Sequence, residues 1–133
     1  MRADLEQLLQ DIGALAMEAV PEGEPKVLIW AEAEGGTVSA DLISGTPDEE
    51  ARFQLCPPLL EQLVGVFWED WQGVPGNREW IAMAYAIQDG SYTIDLTYED
   101  DLEDAEEEID ELRPKAITKH FGGALIDYSN PGV

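Results

Sequence analysis

The chain has 133 residues, with 7 Lys and Arg against 29 Asp and Glu, a formal net charge of −22. A folded monomer of this size exposes roughly 7,000 Å², so the negative field excludes nucleic-acid binding, which needs clustered cations to grip phosphate. It also disfavours anionic membrane surfaces and predicts a basic partner.

The length fits a single domain over residues 1–133, and 44% apolar content supplies a real core. In chain order, Leu5, Leu8, Leu9, Ile12, Leu15 and Ala16 fall at helical spacing and predict a helix over 2–19. Pro21, Gly23 and Pro25 end it. The run Lys26 to Ala33 and the alternating Thr37 to Ile43 read as a hairpin about Gly35-Gly36, followed by a short strand from Arg52 to Leu55. Pro57-Pro58 opens a second helix, on which Leu60, Leu63, Val64, Phe67 and Trp71 share a face. A second hairpin runs from Glu79 to Ile87 and from Tyr92 to Tyr98, its turn at Gln88-Asp89-Gly90-Ser91.

Beyond Tyr98, residues Glu99 to Glu111 hold ten acids and no base, yet Leu102, Ala105, Ile109 and Leu112 recur at spacings of three and four. That pattern predicts an amphipathic helical segment over about 99–112 with an acidic outer face. Pro114 is expected to restart the chain as a short helix from Lys115 to Phe121. The order α-β-β-(β)-α-β-β-α-α predicts an α+β domain, an antiparallel sheet of two hairpins, four to six strands in all, with helices packed on it.

The single Cys56 excludes an intramolecular disulfide and a Cys-based zinc cluster, pointing to a reducing compartment. Met1 to Gln10 carries no signal-peptide core, and no apolar run reaches the length of a membrane span, so a cytoplasmic location is expected. Cys56 could act as a nucleophile only with a base, and His120, the sole histidine, is the one obvious candidate. His120 otherwise reads as a capping or surface residue beside Gly122. No G-x-S-x-G, P-loop or G-x-G-x-x-G is present, and the acidic run lacks the glycine and spacing of an EF-hand. A non-enzyme with no cofactor and no metal site is expected.

Charge runs are usually solvated faces. Here residues 1–98 alone hold 18 acids against 4 bases, so the excess is global. Such a field opposes folding by self-repulsion and suits rapid capture of a basic protein. The candidate contact residues are Asp95, Tyr98, Glu99, Asp100, Asp101, Glu103, Asp104 and Glu107. Trp68 and Trp80 join them as aromatics divided between core packing and partner contact, whereas Trp71 fits the core stripe.

Three stretches resemble the YezG-like immunity (antitoxin) family of bacterial polymorphic toxin systems. They are Val27-Leu28-Ile29-Trp30-Ala31-Glu32-Ala33-Glu34, the strand Trp80-Ile81-Ala82-Met83-Ala84-Tyr85, and Asp89-Gly90-Ser91-Tyr92-Thr93-Ile94-Asp95-Leu96-Thr97-Tyr98-Glu99-Asp100. Lys119-His120-Phe121-Gly122 is similar to the family's closing helix, so the likeness spans about Ile12 to Gly122, with residues 89–100 its most specific part. The resemblance implies a non-enzymatic protein that binds and neutralises a toxin made by the same cell, often a nuclease delivered to competitors. It maps the family's acidic positions onto Asp95, Glu99 and Asp100. The chain departs from the family in its acidic run through Glu111 and its scarcity of Lys.

Two other classes fit the same composition. A type III-like secretion chaperone would need an extended apolar groove, usually with a dimer face. A DNA mimic would compete with nucleic acid for many basic proteins.

Overall fold

The computed structural model describes residues 2–20, 22–34, 36–101 and 105–127. Its sheet is organised around β1 (Lys26–Glu34), because Val27, Leu28, Ile29, Trp30 and Ala31 offer apolar side chains in both phases of the pleat and all are buried. β1 pairs antiparallel with β2 (Thr37–Thr46) on one side and with β4 (Ala82–Gln88) on the other. β3 (Glu50–Leu55) extends the sheet beyond β2, and β5 (Ser91–Thr97) extends it beyond β4. The two-residue turn Asp89-Gly90 has φ of 55° and 77°, the backbone hand that matches strand twist in tight hairpins.

Each sheet face is covered by helix. Val27, Ile29, Leu42, Met83 and Tyr85 point toward α1 (Arg2–Ala19) and α2 (Pro58–Gln72), which contribute Ile12, Ala16, Leu60, Val64 and Phe67. On the opposite face, Leu28, Trp30, Ile43 and the small row Ala82, Ala84 and Ala86 receive α3 (Ala105–Phe121) through Ile117 and Phe121. Each fully buried side chain of this size stabilises the fold by about 1.5–3 kcal/mol. Two ion pairs flank the α3 contact, Arg113 with Asp41 at 3.5 Å and Lys119 with Asp95 at 2.8 Å.

The architecture is α+β, as the order of elements predicts, with three differences in detail. First, the sheet is mixed. A short β6 (Leu125–Asp127) adds parallel to β3, giving the order β5-β4-β1-β2-β3-β6. Its position follows from Asp48 in the β2–β3 turn. The Asp48 N–H donates to Phe121 O at 2.8 Å, its Oδ1 accepts from Gly123 N–H at 3.0 Å, and the Leu125 N–H then reaches Glu49 O at 3.1 Å.

Second, Pro114 lies inside α3 and does not break it. The missing N–H forfeits one hydrogen bond to the carbonyl four residues earlier. Leu112 and Ala116 on either side of it pack against the same sheet face and hold the two halves in line. Third, the acidic segment does not begin as α-helix. Glu99–Asp101 form a 3₁₀ turn and α3 starts at Ala105. Leu102, Glu103 and Asp104 lie outside the described residues.

Candidate partner-docking surface

β5 is the last strand on its side of the sheet, and its chain passes through Tyr98 directly into the Glu99–Asp101 turn. Register thus joins an open strand edge to the start of the acidic run. Asp95 stands opposite Ala84, on the face that carries α3, and accepts from Lys119 Nζ. Arg78 bridges the other end. Its guanidinium carbon lies 4.3 Å from the Tyr98 ring centroid, and its Nη1 donates to Asp100 Oδ2 at 2.7 Å.

All four charged groups in these two pairs are more than half exposed, so each pair contributes at most about 1 kcal/mol. Of the candidate acids, Asp95 and Asp100 therefore sit beside cations of their own chain, and Glu99 is exposed. Glu103 and Asp104 lie outside the described residues, as do the side chains of Asp101 and Glu107.

The two candidate tryptophans do not belong to this surface. Trp80 is fully buried and Trp68 is 9% exposed. Trp68 Nε1 donates to Trp80 O at 2.9 Å, and the Trp80 ring lies 6.2 Å from that of Phe67, so both close the core between α2 and the sheet. Indole area placed under a helix is worth more to folding than to recognition. Trp71 packs against the same core, as its stripe predicts.

Sequence reasoning missed the apolar residues that are exposed. Between α1 and the β4–β5 hairpin runs a groove of about 700 Å³, lined by Gly13, Met17, Tyr85, Ile87 and Tyr92. Glu24 and Asp89 add carboxylates to it. Met17 is 43% exposed and Tyr92 37%. Tyr92 stacks on Tyr85 with ring centroids 4.9 Å apart, and Tyr85 is anchored by its hydroxyl, which donates to Leu9 O at 2.7 Å. The alternation of Tyr92, Ile94 and Leu96 marks this face as apolar. Only the path of α1 determines that Tyr92, at the hairpin tip, stays partly uncovered.

Cys56 and His120 are not brought together. Cys56 follows Leu55, the β3 residue opposite Asp41, and packs on the α1–α2 side. His120 lies near the other end of the sheet, on the α3 side, beside Lys26 and Ser91. Burial pushes the Cys56 thiol up to about 12, with Glu61 and Asp41 adding to the effect. Among the described residues no cluster of His, Cys, Asp or Glu is arranged to hold a metal ion, and no helix is long and apolar enough to cross a membrane.

In comparisons with known proteins, no protein-family model and no curated sequence matches the chain.

Proposed function

We propose that this chain is an immunity protein, one that captures a basic, nuclease-type toxin domain stoichiometrically and blocks it. The observation that carries this reading is how the few cations are used. Arg78, Arg113, Lys115 and Lys119 all sit in ion pairs with the chain's own carboxylates. They leave a surface of 7641 Å² with 22 uncompensated negative charges, about 350 Å² for each. Such a field steers a cationic partner at long range and raises its association rate. The groove with Met17 and Tyr92 then supplies desolvated apolar contact, where most binding energy concentrates. The likeness to the YezG-like immunity family supports the same assignment.

The test is to identify whether a neighbouring reading frame encodes a secreted protein with a basic C-terminal domain, and to co-express that domain with this chain. Growth rescue is expected, together with an association rate that falls steeply as salt rises. Absence of rescue, or a rate flat from low to physiological salt, overturns the reading. The apolar groove favours one second reading, a secretion chaperone that holds an unfolded effector segment. Binding to an unfolded peptide and not to the folded domain would select it.

A further inference from the structure

The scarce cationic groups of this chain are not evenly spread. Register places Lys26, Gln88 and Ser91 in one cross-strand row at the end of the sheet, with Ala86 and Thr93 in the next row on the same face. The methyl side chain of Ala86 leaves a hollow between those rows, and the last turn of α3 covers it with His120. The resulting cavity of about 260 Å³ is lined by Lys26, Gln88, Ser91, Thr93 and His120, with Asp89 at the turn.

Three features set this cavity apart. His120 is 8% exposed, and its buried Nε2 has no hydrogen-bond partner among the described residues. An orphaned buried ring nitrogen is expensive unless something occupies the space before it. Lys26 makes no ion pair among the described residues. Burial and the neighbouring cation Lys119 both lower its pKa. Finally, two carbonyls of the last α3 turn are already engaged: Thr118 O accepts from Gly122 N–H at 2.8 Å, and Phe121 O accepts from the N–H groups of both Asp48 and Ala124. Burial and the adjacent Lys26 and Lys119 lower the His120 pKa, with Asp95 opposing them.

We propose that this hollow is a binding site for a compact oxyanion, phosphate or carboxylate, held between Lys26 and His120 and hydrogen-bonded by the Ser91 and Thr93 hydroxyls. The donor set suits that chemistry. An ammonium and an imidazole N–H give charge-assisted bonds to an anion, the two hydroxyls rotate to donate, and the volume admits a tetrahedral group. The site shares the β4–β5 turn, Asp89 included, with the apolar groove, but lies on the α3 side of the sheet.

One histidine makes the test unambiguous, because a single imidazole resonance reports on the site. The full chain is titrated with pH by NMR, in the presence of inorganic phosphate, acetate, or sodium chloride at matched ionic strength. Sodium chloride screens all the surrounding charges, Lys26 and Lys119 included, and so sets the non-specific baseline. A bound oxyanion raises the His120 pKa, by about one unit at saturation. The expected result is a saturable rise with half-saturation below about 10 mM, and a loss of affinity of about tenfold in Lys26→Met.

A rise with phosphate alone identifies a dianion site, and a rise with acetate as well identifies a carboxylate site. A response that does not saturate marks an adventitious ion only and overturns the proposal. So does a response that sodium chloride reproduces, or one that Lys26→Met leaves unchanged. Should Lys26→Met fail to fold, the double variant Ser91→Ala, Thr93→Val reads the same contrast.

Discussion

Gly13 lies against the hydroxyl of Tyr85. A Cβ at residue 13 would stand 2.5 Å from that oxygen, which donates to Leu9 O at 2.7 Å and so ties the hairpin to α1. Glycine inside a helix is normally unfavourable by about 1 kcal/mol relative to alanine. Here the absent methyl is what lets α1 close on the sheet.

Gly13→Ala should therefore destabilise the protein by about 1–3 kcal/mol despite its better helix propensity. In a Tyr85→Phe background, which removes the colliding oxygen, the same change should be neutral or stabilising. Urea unfolding of the four proteins in a double-mutant cycle measures the coupling. Additive effects would show that the close approach is not what the glycine serves.

Trp80 and Trp68 should behave as core residues only. Trp80→Ala is expected to lower stability by about 3–5 kcal/mol. Trp68→Phe, which strips the Trp80 carbonyl of its indole donor, should cost about 1–3 kcal/mol. Calorimetry checks both. Affinity for a basic partner, measured on the folded fraction, should be unchanged in Trp68→Phe.

His120 sets a pH dependence of known sign. Its folded-state pKa lies below the ordinary 6.5 because of burial and the adjacent Lys26 and Lys119, with Asp95 partly opposing. On lowering the pH through 6.5 the unfolded chain therefore takes up a proton before the folded one does, and stability falls until the folded pKa is passed. Urea melts between pH 7.5 and pH 5.5 should show this loss in the natural chain and not in His120→Gln.

Cys56 should be inert in the folded protein. With its thiol pushed up to about 12 from 9.0, the thiolate fraction at pH 8 falls about a thousandfold. Iodoacetamide is expected to label the urea-unfolded chain readily and the native chain barely. Because the unfolded thiol ionises first, stability should also decline as pH rises above 9.0, and Cys56→Ala should remove that decline.

The two hairpins and α1 and α2 were legible in the sequence because each carries its own period and its own turn chemistry. The alternation from Tyr92 to Leu96 and the Asp89-Gly90 pair, for instance, specify a strand and its turn without outside help. Pro114 misleads because a local rule says that proline ends a helix. Packing of Leu112 and Ala116 on one sheet face outweighs a single lost hydrogen bond. β6 is too short to show a period, and a turn residue 77 positions before Leu125, Asp48, directs the chain toward it. The tryptophans were ambiguous for the opposite reason. Composition identifies an aromatic but not its depth, and depth depends on how α2 crosses the sheet. The hollow under His120 draws on residues 26, 88–93 and 120, which only the strand register makes neighbours.

The sheet's two borders are unequal: β5 runs for seven residues, and β6 for three, alongside β3. A lattice of copies joined edge to edge needs matching borders on both flanks, with the same contact repeated from one molecule to the next. This molecule has a long template on one flank and a stub on the other, and every copy repels the next. Unequal borders and mutual repulsion both oppose repeated edge-to-edge addition, so the strand border that β5 leaves open is a poor seed for fibres.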